Sequence, residues 1–255
     1  MKIFSALVVL VLLMAPGIQA QTTNDLSDKE LQGRALVQKM LAQWPAENFT
    51  NTGVLKIRGS KKYAELPLKY TMIATTTNWL ACYEAQYTTN LSDITKLAVM
   101  HDATESNRYE LWGDEKGANL GHNLHFHVSL VTNGDRLMIP FAGSDFSLGD
   151  LGLEFLHWPQ QKVLKREVHS SRGCTVLEST NPAASTNGYS RVMSWIDTET
   201  LGIVEAYAYD AKGKQLKIFT PKDFKKVNGQ WQVQTFVMEN VQTGSRSRLE
   251  FDLKK

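Results

Sequence analysis

Cysteine is scarce in this 255-residue chain, charge of one sign is nowhere in excess, and no long apolar run occurs beyond the first twenty residues. Each shortage excludes something. With 28 basic against 26 acidic residues, the chain lacks the basic field that a nucleic-acid partner requires, and setting aside an N-terminal leader that carries Lys2 leaves 27 against 26. The two cysteines, Cys82 and Cys174, leave two readings open: a bridge between them, or two buried thiols on separate strands. A catalytic thiol needs a partner histidine and an electropositive setting, and nothing local supplies either. Phosphate-cradling glycines after a strand, a serine nucleophile elbow and a HExxH helix are all missing. So are internal repeats, low-complexity tracts and linkers. With 42% hydrophobic and 21% charged residues the chain reads as a globular protein, with residues 21–255 as one domain.

The first twenty residues have the layout of a secretory signal. Lys2 is followed by an apolar run from Ile3 to Met14, then Pro16-Gly17, then Ile18-Gln19-Ala20 as a cleavage site before Gln21. A membrane anchor is the rival reading, but the run is shorter than the ~20 residues a bilayer needs. No cysteine follows the cleavage site to accept a lipid. An exported, soluble, periplasmic protein is expected, monomeric and cleaved after Ala20.

What is present begins with an amphipathic helix over Asn24 to Trp44. Asp25 or Ser27 can cap it, Leu31, Ala35, Val37, Met40, Leu41 and Trp44 form its apolar stripe, and Pro45 ends it. It can pack on a sheet or close the mouth of a barrel. From Thr52 the apolar period becomes two. Strands are expected at 52–58, 65–74, 78–88, 95–101, 108–112, 124–131 and 135–141, and again at 161–168, 173–179, 189–197, 202–210, 215–219, 230–240 and 245–253. Short turns, among them Thr132-Asn133-Gly134 and Asn228-Gly229, join them. Without alternating helices this is a mainly β protein, an antiparallel sheet curled toward a barrel.

Pro140 to Pro159 (PFAGSDFSLGDLGLEFLHWP) interrupts the strands. Gly143-Ser144-Asp145 has turn chemistry, and Ser147 can cap a short helix whose Leu148, Leu151 and Phe155 share one face before Pro159 stops it. A connection this apolar must bury itself, either in the core or over a cavity that a ligand shares. Tyr70 and Met72 on one strand and Trp79 on the next are candidate cavity walls, and plain core packing is the alternative for each.

Other chemistry is weaker. His125 and His127 would share a strand face beside His122, with His157 or Asp145 to complete a metal site, but a polar strand face explains them as well. The pairs Asp145 and Asp150, and Glu205 and Asp210, invite acid–base chemistry. Asp145 and Asp210 also suit turns, and Asp150 suits the first turn of a helix. The Asn48 and Asn90 sequons read as chance matches.

The segment PFAGSDFSLGDL resembles the (L/F)xGSDFxxxDL motif of the LolA-like outer-membrane lipoprotein-sorting proteins, with Gly143, Ser144, Asp145, Phe146, Asp150 and Leu151 in register. The later segments YSRVMSWIDTETLGIVEAYAYDAKGKQLKIF and KKVNGQWQVQTFVMENVQTGSRSRLEF are similar to the same family. That resemblance implies a strongly curved, incomplete β-barrel with helices in its mouth and an apolar cavity for acyl chains, with no cofactor and no catalysis. It implies acyl chains of lipids or lipoproteins as ligand, delivered between an inner-membrane release complex and an outer-membrane acceptor. In the best-studied carriers a basic side chain helps hold the lid, and no particular arginine here aligns to that role. Phe146, Leu148, Leu151 and Phe155 are then the expected lid, with Trp158 flanking. The alternative is an envelope sensor or scaffold that uses the same half-barrel for a protein partner; a metal-dependent hydrolase is the third reading.

Overall fold

The computed structural model describes residues 26–253 apart from 44, 46, 60–62, 88–93, 103–104, 114–128, 132–133, 185–187 and 228–229. The expected leader, the cap candidate Asp25, Trp44, the Asn90 sequon, His122, His125, His127 and two expected turns, at 132–133 and 228–229, therefore lie wholly or partly outside the described residues.

Helix α1 spans Asp28–Leu41, and the Glu30 carboxylate accepts hydrogen bonds from the Ser27 amide and hydroxyl at 2.8 and 2.7 Å. The six strands β1 (Phe49–Arg58), β2 (Tyr63–Ala74), β3 (Asn78–Gln86), β4 (Ile94–Asp102), β5 (Arg108–Trp112) and β6 (Ser129–Val131) make a first meander. Short helices α2 (Gly134–Leu137) and α3 (Leu148–Leu151) follow, with 3-10 turns at Phe141–Gly143 and Glu154–His157. A second meander comprises β7 (Gln160–His169), β8 (Arg172–Thr180), β9 (Arg191–Asp197), β10 (Ile203–Tyr209), β11 (Gln215–Val227), β12 (Gln230–Asn240) and β13 (Ser245–Phe251). Among the described residues these thirteen strands form one antiparallel sheet in the order β6-β5-β4-β3-β2-β1-β13-β12-β11-β10-β9-β8-β7.

That order explains the central stretch. The two meanders join in the middle of the sheet, where β1 pairs with β13, so β6 and β7 are its opposite edges. The chain between them must travel from one edge to the other, and it does so across the face that carries the core. Phe141, Ala142, Phe146, Leu148 and Leu151 pack with side chains of β1 to β5, β12 and β13. Phe155 and Leu156 pack with Val37 and Met40 of α1 and with β8 to β10. Burying apolar side chains on both sides of the crossing is why it is rich in Phe and Leu.

Two expectations need correction. Residues 135–141 are not a strand: α2 and an irregular run occupy them. Leu137 and Ile139 face the first core while Met138 faces the second, so a chain threading between two cores shows the alternation of a strand without a strand partner. The α1 stripe is narrower than expected, because Ala35 is exposed and Leu31 is 52% exposed, while Gly33, Val37 and Met40 are buried. A Cβ at Gly33 would lie 2.5 Å from the Gln161 carbonyl, so only glycine lets the helix lie this close along β7. Of the two readings left open for Cys82 and Cys174, the structure has the second, two thiols without a bridge. Both thiols are free and buried, on β3 and β8 in different arms of the sheet, and burial raises the pKa of each.

Candidate functional site

The first half of the central stretch is pinned by polar contacts that its motif residues supply. Ser144 Oγ donates to the Phe141 carbonyl at 2.7 Å, which closes the turn in which Ala142 and Gly143 adopt φ of 50° and 69°. The Asp145 carboxylate accepts from the hydroxyls of Ser245 and Ser247 on β13, and its own amide donates to Ser247 at 2.8 Å. Asp150 receives the Ser147 amide and hydroxyl, each at 2.7 Å, as the capping box of α3. Its carboxylate also meets Lys217 Nζ of β11 at 3.0 Å and accepts from the Tyr189 hydroxyl at 3.1 Å. Lys217 and Tyr189 lie far along the chain from Asp150, and only the tertiary fold brings them to it.

The other carboxylate pair is structural too. Glu205 binds His169 at 2.9 Å and the Tyr207 hydroxyl at 2.8 Å, while Asp210 accepts the amides of Lys212 and Lys214 in a turn. Among the described residues no three His, Cys, Asp or Glu side chains are grouped to hold a metal ion.

The second half of the stretch borders an open space. Gln161 Nε2 donates to the carbonyls of Phe155 and Trp158, both at 3.0 Å, and its Oε1 accepts from Ser179 at 2.7 Å, which ties the Glu154–His157 turn to β7 and β8. Leu153, held at φ 50°, and Leu156 then face a groove of about 870 Å³. Its lining includes Met40 of α1, Leu201 and Ile203 at the start of β10, Phe219 and Phe224 of β11, and Trp231, Val233 and Phe236 of β12.

The groove exists because the sheet parts between β10 and β11. These strands pair only from Ala206↔Phe219 to Tyr209↔Gln215, and β11 then runs on for eight residues without β10. Pro221 stands two residues beyond the last pair and has no N–H to offer a ladder. At the base of the gap Asp197 accepts from the Thr200 and Glu199 amides, at 2.8 and 2.9 Å, and from Arg172 at 3.0 Å. Burial alone would raise its pKa, and these donors reverse the effect and hold it at about 2.

The expected lid and wall residues occupy other places. Phe146 and Leu148 are 1% and 0% exposed in the first core, with Leu151 beside them. Phe155 is buried in the second core, and Trp158 packs partly buried against it. Tyr70 stacks near Tyr83 at 4.8 Å between ring centroids, Trp79 stacks on His101 at 3.7 Å, and Met72 is half-buried opposite Phe49 and Ala81. None of these eight lines the groove, whereas Leu153 and Leu156 from the same stretch do. The signal that could have found the groove was Pro221 inside an otherwise strand-like run.

Residues 131–254 match the model of a family described as an uncharacterized protein. No curated protein matches the chain. Among solved structures, a DUF1329 family protein from Desulfovibrio piger is 18% identical with a TM-score of 0.69, over 89% of this chain and 92% of that one. A domain described as an outer membrane lipoprotein-sorting protein from Vibrio parahaemolyticus is 18% identical with a TM-score of 0.69, over 88% and 92%. A LolA superfamily protein from Nitrosomonas europaea is 16% identical with a TM-score of 0.55, over 89% and 93%. At these identities the likeness is one of fold. The chain therefore has the LolA-like fold, a curved antiparallel sheet, thirteen strands among the described residues, not closed into a barrel, with a helix along one edge and a short helix across its inner face.

Proposed function

We propose that the protein is an exported, periplasmic carrier that binds acyl chains of lipids or lipoproteins in the groove between β10 and β11 and performs no chemical step. The observation that carries this reading is the groove itself: about 870 Å³, lined by Met40, Leu153, Leu156, Ile203, Phe219 and Phe236, and open on one side. Each methylene buried there contributes ~0.8 kcal/mol, so about ten would supply roughly 8 kcal/mol before the cost of association. That is enough for a reversible complex, as a carrier needs. The LolA-like fold supports the same reading, and within it an inner-membrane release complex and an outer-membrane acceptor are the partners that would load and unload the protein.

In this reading the two halves of the central stretch have different roles. Phe146, Leu148 and Leu151 hold the segment in the core with Asp145 and Asp150. Leu153 and Leu156, with Trp158 behind them, form the part that a bound chain would touch or displace. A second reading, a sensor for a protein partner, draws on the unpaired edge of β11 beyond Phe219, which an extended peptide could join.

A fluorescent fatty-acid probe titrated against the purified protein tests the first reading. Saturable binding is expected, and Leu201→Asp, which places a carboxylate at the groove wall, should weaken it by about tenfold or more. Absence of saturable binding, or equal binding by the variant, contradicts it.

A further inference from the structure

The strands β11 and β12 outlast their neighbours. β10 pairs with β11 only as far as Phe219, and β13 pairs with β12 only from Thr235 onward. From Lys222 to Gln234 each strand therefore has only the other as a partner, and the two form an arm projecting from the sheet. The register places Phe224 opposite Val233 and Lys226 opposite Trp231, so these four side chains share one face, with Lys222 opposite Thr235 beyond Asp223.

This face is unusual for a solvent-exposed ribbon. Trp231 is 70% exposed and Phe224 49% exposed, and Lys222 and Lys226 are exposed beside them. Residues 220–236 hold three lysines and one acidic residue, Asp223. The Asp223 carboxylate lies 3.7 Å from Arg248, and among the described residues Lys222 and Lys226 pair with no carboxylate. Arg172 adds a further cation 5.8 Å from the Phe224 ring. Exposed aromatic rings framed by unpaired lysines match an anionic bilayer surface: the rings enter the headgroup layer, and the lysine stems lie alongside while their ammonium groups meet lipid phosphates.

We propose that the β11–β12 arm docks on an anionic lipid bilayer, through Trp231 and Phe224 with Lys222 and Lys226 as the electrostatic contacts. Phe224, Trp231 and Lys222 also line the groove. Docking would therefore bring this wall of the groove to the membrane, from which an acyl chain could enter it. The purpose given to docking rests on the carrier reading, while the docking itself is measured separately.

The test is co-sedimentation with vesicles of phosphatidylcholine alone and of phosphatidylcholine with phosphatidylglycerol. The full mature chain should bind the phosphatidylglycerol vesicles and release them as salt rises. Lys226→Glu lies outside the groove lining and should weaken that binding about tenfold while keeping the fatty-acid probe. Leu201→Asp should lose the probe and keep the vesicles. Quenching by bilayer-embedded brominated lipid should fall in Trp231→Phe relative to the unmodified protein, which separates insertion of this ring from mere adhesion. Binding that ignores phosphatidylglycerol, or is unchanged in Lys226→Glu, or quenching unchanged in Trp231→Phe, overturns the docking proposal. Loss of the probe reading with vesicle binding intact would overturn the carrier reading alone.

Discussion

His101 shows how a single side chain reports on the fold. It lies on β4, stacked on Trp79, and burial together with nearby His157 holds its pKa down to about 3 from an ordinary 6.5. The unfolded chain takes up a proton at this site below about pH 6.5 and the folded one does not, so stability should fall as pH drops from 6.5 toward 3, by up to ~1.4 kcal/mol per unit. His157, lowered by burial, acts in the same direction. Glu154, raised by burial, acts in the opposite one: its contribution is present at low pH and is lost as pH rises through its folded pKa. Replacing His101 with Gln should flatten the slope of melting temperature against pH across the acid range, and an unchanged slope would contradict this account. At this scale the sequence was readable where a residue acts locally. Ser147 caps the short helix and Asp150 stands in its first turn, and Asp210 closes its turn. It was silent where partners are distant, as with Ser245 and Ser247 at Asp145, or Lys217 and Tyr189 at Asp150, because nothing local records which strand will pass beneath a loop.

Among the elements, the Pro140–Pro159 crossing depends on the joint between Asp150 and Lys217. Both side chains are largely buried, with exposures of 8% and 13%. Lys217→Met would leave the carboxylate with only neutral donors and should cost about 3 kcal/mol in urea unfolding. Adding Asp150→Asn should restore part of that loss. A cost below about 0.5 kcal/mol would place the anchor elsewhere. Strands were recoverable from alternation because most of them have one buried face: β5 and β12 begin and end where the pattern changes, and several others differ by one to three residues. Alternation failed in two informative places. It suggested a strand at 135–141, where the chain passes between two cores, and it ended β11 at Phe219, although the strand continues through Pro221 because its partner on that side has already turned away. The groove lies at the second of these, which is why it could not be placed from periodicity.

For the molecule as a whole, two meanders share a central seam and their linker must cross the inner face to reach the far edge. The linker fills most of that face with a core, and the space left over lies where β10 and β11 separate. The apolar character of the linker was visible in the sequence, but whether its side chains complete a core or cover a ligand depends on how far the sheet curls, and that is a property of all thirteen strands together. Before Gly152 the side chains join the first core; after it Phe155 and Leu156 join the second, and Leu153 and Leu156 also border the groove. A Cβ at Gly152 would overlap the buried Tyr109 side chain, so the crossing turns from one region to the other at a position that only glycine fits. The central claim is that the groove carries acyl chains, and native mass spectrometry of protein isolated from its own compartment tests it most directly. The account predicts a bound acyl lipid or lipopeptide that is absent from Leu201→Asp; protein that is uniformly empty, or equal lipid on both proteins, would contradict it.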